Sequence, residues 1–471
     1  MDTKQPLLEE DRELLEKRRA WYALTLILLI ISVISRIPLI FLATLFALLV
    51  AVIPDLWYRY ALRRLTIRQQ VSQARLFFGE EVTLSLSIEN RKLLPLPWLQ
   101  VENRITPPLT LVHKRARLSA KSQDTFVSPW LIWPLQRVTR RYLMRCHTRG
   151  FHLFGPVRLS SSDPFGWLER EITAPIYATL LVYPLIAPLE TLGFASVLPF
   201  GDYATPRRLL EDPLQVIGTR DYVIGDDPRR IHWKASAHTG YLQSKVYMPS
   251  SQRRLLLLLD VWNYSEATQG SDAALQEFTI SVAASLAVWG LEEGYMVGLL
   301  ANAALMLDAN ELRQQPDVST VLKLYGEDDS KHVAPVTLSA PIARVPFALD
   351  HGQYEQLLST LARLVAGSNA SMDYILDTEE SMLPPGTTIL LISAASSLST
   401  GTVERLQELQ RHGDVVYLIL TGDDAMSTIP DTGGLPVYYP GGKERWHELT
   451  RTIDTTDNGP IGTSTTRLQL D

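Results

Sequence analysis

The hydrophobic pattern divides the chain into three regimes. From Trp21 to Ile53 it is almost wholly apolar, interrupted only by Thr25, Ser32, Ser35, Arg36 and Thr44. As one helix this run would be roughly 50 Å long, against a hydrocarbon core of about 30 Å. It would also bury Arg36 in lipid at a cost of several kcal/mol, and Pro38 disfavours helix at the residue before it. Two transmembrane helices, about 21–34 and 38–53 within 21–54, resolve both conflicts. From Leu65 the period is two. In Glu81–Asn90, Val82, Leu84, Leu86 and Ile88 alternate with polar residues, the mark of a half-buried strand. Further extended segments are expected at Leu94–Val101, Ala116–Ser119, Ser122–Val127, Val138–His147 and Val157–Ser160. Short strands with frequent turn signals predict a small β-sandwich over 65–185.

Beyond residue 250 the pattern changes again. Arg254–Asp260 reads RLLLLLD, a strand buried on both faces. Ala273–Trp289 has helical spacing, and Tyr295–Ala301 is a second buried strand. Tyr354–Ala366, Val403–Arg411 and Lys443–Thr452 read as helices, Thr388–Ala394 and Val415–Thr421 as strands. Alternating strands and helices predict an α/β doubly wound domain over 251–453. The expected fold is therefore multidomain: a transmembrane helical hairpin, a small β-sandwich, and a C-terminal α/β domain. Residues 1–20 read as a cytoplasmic tail, 186–250 as a linker with a charged segment, and 454–471 as a disordered tail.

Charge adds orientation. Lys17, Arg18 and Arg19 precede the first apolar span, and Arg59, Arg63, Arg64 and Arg68 follow the second. The positive-inside rule then puts both ends, and the soluble domains, in the cytoplasm of a multi-pass cell-membrane protein. A cleaved signal peptide fits poorly, because the apolar region is too long and no small-residue cleavage site follows it. The net charge of −6 gives no general attraction to nucleic acid. A single cysteine, Cys146, excludes a disulfide framework or an intrachain cysteine metal cluster.

The candidate chemistry lies in Gly218–Val246. Arg220, Asp221, Asp226, Asp227, Arg229, Arg230, His232, Lys234, His238 and Lys245 are interleaved there with Tyr222, Trp233 and Tyr241. Gly225-Asp226-Asp227-Pro228 is a turn signal. Ile231 and Trp233 alternate with His232 and Lys234, so two extended arms are expected to flank the turn. A second phrase runs Arg149-Gly150 to Gly155-Pro156, then Asp163-Pro164-Phe165-Gly166, a turn carrying a buried aromatic. Asp260, at the carboxyl end of a central strand, occupies the place where open α/β sheets bind ligands. There is no Gly-rich phosphate loop and no HExxH.

These motifs together resemble the family of bacterial and archaeal proteins catalogued as domain of unknown function (DUF) family 58. Its signature is matched by Arg220, Tyr222, Gly225, Asp226, Arg229, Ile231, Trp233 and Ala237, with His238 where the family usually has Arg. The earlier phrase, with Arg149, Gly150, Asp163, Pro164, Phe165 and Gly166, belongs to the same pattern. The last domain resembles a degenerate von Willebrand factor A fold. Functional members of that fold carry Asp-x-Ser-x-Ser and a divalent cation; here Trp262 and Tyr264 stand in the serine places after Asp260. The resemblance implies an accessory protein of a membrane assembly or maturation system, partnered by a MoxR-type AAA+ ATPase and other membrane proteins. It implies neither an enzymatic activity nor a cofactor.

Three readings of the residues follow. Arg220, Arg229 and Arg230 could pair with Asp221, Asp226 and Asp227 in a charged clasp over packed Trp233 and Tyr222, forming an internal lock or a docking surface. Asp226 or Asp227 with His232 could form a hydrolytic acid/base pair. Asp260 could hold a metal for ligand binding, although the hard-cation oxygens around it are few.

Overall fold

A computed structural model of the chain describes residues 25–34, 38–106, 109–111, 117–119, 122–163, 166, 169–194, 211–223, 226–249, 253–261, 264–265, 270–308, 336–338, 342–365, 370–379, 383–384, 386–423 and 432–456. The tail 1–20, the turn at Arg36, most of the stretch Gly193–Pro206 and the last residues of the chain lie outside these. The chain divides into two units, one of residues 1–76 and 80–182, the other of 77–79 and 183–471.

In the first unit, α1 (Thr25–Ile34) and α2 (Pro38–Tyr60) are apolar helices. The second runs seven residues past its expected end at Ile53. The cause is tertiary: Trp57, Ala61 and Leu62 enter the core of the following β region, so the helix is continued by packing rather than by hydrophobic composition. Most of its other described apolar side chains, including Leu39, Leu42 and Phe46, are exposed.

That β region contains β1 (Leu65–Val71), β2 (Arg75–Leu76), β3 (Glu81–Asn90), β4 (Leu96–Thr106), β5 (Thr110–Leu111), β6 (Arg117–Ser119), β7 (Ser122–Ile132), β8 (Arg137–Arg145), β9 (Gly150–Ser162), β10 (Glu169–Ala174) and β11 (Ala178–Val182). One sheet has the order β1-β3-β8-β5. The other has the order β2-β11-β9-β4-β7-β6, with β10 added on β9. Both contribute to one core: Val82, Leu84, Leu86 and Ile88 of β3 with Val101, Phe126, Trp130, Phe154 and Leu159 of the other sheet. β9 is far longer than the expected Val157–Ser160. Gly155-Pro156 reads as a break, yet the strand continues through it. Gly155 has φ +113°, and a Cβ there would fall on the Ile176 carbonyl, so the missing side chain is what lets the neighbouring backbone approach.

The second unit is built on a six-stranded sheet. Its strands are β14 (Arg254–Leu259), β17 (Met296–Ala301), β20 (Ala343–Ala348), β22 (Thr388–Ala394), β23 (Val415–Thr421) and β24 (Val437–Gly441). The spatial order is β20-β17-β14-β22-β23-β24. All pairs are parallel except β17–β20. Short pairs complete it: β15 (Tyr264–Ser265) with β16 (Gly270–Ser271), and β18 (Ala304–Asp308) with β19 (Val336–Leu338) and β21 (Leu364–Val365). The helices are α3 (Trp233–Thr239), α4 (Ala273–Glu292), α5 (His351–Arg363), α6 (Met372–Glu379), α7 (Thr400–His412) and α8 (Lys443–Thr456). α4 is long and apolar enough to cross a membrane, but most of its length is buried within the unit. Residues 183–185, expected in the β-sandwich, and 186–194, expected as the start of a linker, are part of this unit. Ser281 Oγ of α4 donates to the Leu185 carbonyl at 2.5 Å, and Ser285 Oγ accepts from Ala187 N at 3.0 Å. Leu189 and Leu192 are buried beside them.

Candidate functional site

The signature stretch is a two-stranded hairpin. β12 (Glu211–Asp221) pairs antiparallel with β13 (Gln243–Pro249), with Asp221 opposite Gln243 and Thr219 opposite Lys245. Residues 222–242 form its head. Pairing of Arg220 with Asp226, expected from the sequence, is present: Arg220 Nη2 lies 2.6 Å from Asp226 Oδ1. The second carboxylate oxygen accepts from Val223 N at 3.2 Å, and Tyr222 Oη donates to the Asp226 carbonyl at 3.1 Å. The Val223 amide, then Arg220 and Arg230, hold the Asp226 carboxyl below its ordinary range against the opposing effect of partial burial. Asp221 does not join this pairing; it accepts from Gln243 Nε2 across the hairpin at 2.5 Å.

The expected second strand arm is absent. In its place Pro228–Arg230 is a 3₁₀ turn and Trp233–Thr239 is helix α3. Asp227 caps the turn by accepting from Arg229 N at 3.0 Å, with Pro228 at the first position. His232 Nδ1 accepts from Ala235 N at 3.1 Å and so caps α3. Gly240, with φ +78°, closes the helix by donating to the Ser236 carbonyl at 3.0 Å. Alternation over four residues was too short to outweigh two caps and a glycine stop. Only Ile231 keeps a strand-like contact, a bridge to Ser244, and it is buried.

The helical geometry also corrects the place of Trp233. It does not pack beneath the charged network but stands 69% exposed. Tyr241, Leu242 and Val223 are exposed as well. Arg229 is exposed and its guanidinium has no ion-pair partner among the described residues. Ala237 lies on the exposed face of α3, and Gly225 falls outside the described residues. The head is thus held by the Arg220–Asp226 clasp and presents aromatics and cations outward. Asp227 and His232 are both engaged by backbone amides, at separate caps.

The earlier phrase is a local turn: Gly166 N donates to the Asp163 carbonyl at 3.0 Å. Asp163 is buried, and Arg149 and Gly150 lead into β9. Pro164 and Phe165, including the expectation of a buried aromatic, lie outside the described residues.

Asp260 lies at the carboxyl end of β14, next to the point where strand order reverses between β14 and β22. It is 7% exposed. Oδ1 accepts from Asn302 Nδ2 at 2.6 Å, and Oδ2 accepts from Ser393 Oγ at 2.9 Å and Ser397 Oγ at 3.2 Å. Asn302 Oδ1 in turn accepts from Val261 N at 2.7 Å. The carboxylate thus ties the ends of three adjacent strands together. Among the described residues no three His, Cys, Asp or Glu side chains are grouped as metal ligands would be. Sequence reasoning missed Asn302, Ser393 and Ser397. The serines directly after the apolar run Thr388–Ile392 were the available signal.

Comparison with known proteins adds a family. Residues 218–313, which include the hairpin head, Asp260 and α4, match the family described as "Protein of unknown function DUF58". The "Uncharacterized protein YeaD" of Bacillus subtilis (strain 168) is 24% identical over 252 residues, covering 51% of this chain and 56% of that protein. The match thus spans about half the length of the curated relative. Among solved structures, a cohesin module from a Clostridium perfringens family 33 glycoside hydrolase covers 25% of this chain and 96% of its own, at 9% identity and a TM-score of 0.18. A non-cellulosomal cohesin from Archaeoglobus fulgidus covers 25% and 91%, at 13% identity and 0.18. Likeness at that level defines neither fold nor function for this chain. The match at the signature segment and the match to YeaD support the DUF58 family for this protein.

Proposed function

We propose that this protein is a non-catalytic, membrane-anchored accessory or scaffold whose hairpin head docks a partner protein. The observation that carries the reading is the exposure of Trp233, Tyr241 and Arg229, the last without an ion-pair partner among the described residues, on a head held in shape by Arg220 and Asp226. Aromatic and arginine side chains are the usual anchors of protein interfaces. Exposed in a group, they are costly to leave unused. Following the family resemblance, the partner is a MoxR-type AAA+ ATPase of an assembly or maturation system. The apolar helices α1 and α2, with basic residues after them, support a cell-membrane anchor with the soluble units in the cytoplasm. The strand order β20-β17-β14-β22-β23-β24, with one antiparallel edge, supports a von Willebrand factor A-like reading of the second unit.

The test is co-purification from native membranes with the helical hairpin intact. Trp233→Ala and Arg229→Ala should each abolish recovery of the cognate ATPase while the fold persists. Recovery of no ATPase with the unaltered chain overturns the choice of partner.

A further inference from the structure

The first unit carries an exposed apolar patch that the docking head does not explain. Leu93 is 80% exposed, Leu135 69%, Trp133 58%, Trp98 56% and Leu131 50%. Isolated exposed hydrophobics are ordinary, but five from adjoining loops and strand ends form a surface. The loops are fixed to each other. Asn90 Nδ2 donates to the carbonyls of both Leu94 (2.9 Å) and Trp133 (3.2 Å), and Leu135 N donates to the Lys92 carbonyl at 3.2 Å. Trp98 sits in the bulge of β4 between Leu96, opposite Ile132, and Leu99, opposite Trp130. That places it beside Leu131 on the outward face.

The same loops grip the turn that directly follows α2. Lys92 Nζ donates to the carbonyl of Ala61 and, at 2.9 Å, to that of Arg63. Arg91 N donates to the Arg64 carbonyl at 3.1 Å. From Pro38 to Leu56 the helix rises roughly 28 Å, close to the ~30 Å of one hydrocarbon core. The water boundary would then fall at Trp57–Tyr60, where Tyr58 and Tyr60 supply the aromatic girdle expected at an interface. Arg170 stands over the Tyr58 ring at 5.5 Å and Arg63 over the Tyr60 ring at 5.4 Å. The patch is thus bonded to the turn that follows the helix, directly beyond that boundary. Beside it, at and just after the end of α2, lie Arg59, Arg63 and Arg64, cations suited to anionic headgroups.

We propose that Leu93, Trp98, Leu131, Trp133 and Leu135 form a monotopic contact that inserts into the interface of the same bilayer that α2 enters, holding the β region against the membrane. The proposal rests on the membrane-anchor reading above. Two ends of one rigid attachment, a spanning helix and an inserted loop cluster, fix the tilt of the unit where a helix alone would leave it free to swing.

The test is lipid-quencher mapping of the full chain in vesicles of phosphatidylethanolamine and phosphatidylglycerol. Cys146 is buried, with its thiol pushed up to about 12 by that burial, so an added surface cysteine labels selectively. A polarity-sensitive fluorophore is attached in turn at Leu93→Cys, Trp133→Cys and Leu135→Cys. Leu42→Cys on α2 reports the span, and Thr148→Cys, exposed in the connection from β8 to β9, reports water. The expected result is quenching by doxyl-lipids at 93, 133 and 135 approaching that at 42, with protection from aqueous iodide absent at 148. Lipid quenching at 42 with iodide quenching at 93, 133 and 135 overturns the interface contact and leaves the anchor standing. No lipid quenching at 42 overturns the anchor itself. Protection of 93, 133 and 135 from both quenchers means that protein covers the patch, which also overturns the proposal.

Discussion

Lys92 Nζ donates to the main-chain carbonyl of Arg63 at 2.9 Å, so a lysine on the loop after β3 satisfies a carbonyl in the turn that follows α2. Burial lowers the Lys92 ammonium to about 8 from its ordinary 10.5. Between those values the folded chain holds fewer protons than the unfolded one. Stability therefore rises with pH across that window and is lost as pH falls through about 8. Lys92→Met should flatten this alkaline slope in thermal melts taken across the window. A slope unchanged in the variant would assign it to another group.

The hairpin clasp makes a prediction of the same sign, displaced to the acid range. With Asp226 held below its ordinary range, its contribution is complete above the unfolded carboxyl value of about 3.9. It is lost as pH falls through the lower folded value. Limited proteolysis at the hairpin head should stay constant from neutrality down to mildly acidic pH and rise only below that. Asp226→Asn should be cut faster at every pH, with the acid-dependent rise removed.

Trp233→Ala separates docking from folding. The side chain is 69% exposed, so its removal should change stability by no more than about 0.5 kcal/mol. Recovery of the ATPase partner should nonetheless be lost. A large fall in melting temperature would mean that Trp233 is a structural residue.

Asp260→Ala removes the acceptor that Asn302 Nδ2 uses at 2.6 Å. Leaving that buried amide unsatisfied should cost about 1–3 kcal/mol. A double-mutant cycle with Asn302→Ala should return a coupling of similar size, since the two groups touch. Additive effects would show that the contact carries no stability.

Gly290→Ala should be destabilising although alanine favours helix by about 1 kcal/mol. The new Cβ would meet Leu255 Cδ2 at 2.6 Å and Val297 Cγ2 at 3.0 Å. Overpacking of a filled core costs typically about 1–3 kcal/mol. A net loss of about 1–2 kcal/mol in denaturant unfolding is expected. A stabilised variant would show that the contact between α4 and the central strands is loose.

Where neighbouring residues alone set the period, the sequence was sufficient. β3 runs Glu81–Asn90, β22 Thr388–Ala394 and β23 Val415–Thr421, each as the pattern indicates. Alternation along β3 and the continuous apolar runs of the central strands record burial on one face or both, and burial is written into composition. The Arg220–Asp226 pair was legible for the same reason: six residues apart around a turn, two opposite charges have few other places to go. Tertiary structure decided the rest. It carried α2 past Ile53, because the partners of Trp57 and Ala61 lie in strands far along the chain. It carried β9 through Gly155-Pro156, because the reason for that glycine is the distant Ile176 carbonyl. It brought Asn302, Ser393 and Ser397 to Asp260, because strand order, set by packing across the whole sheet, determines which strand ends are neighbours.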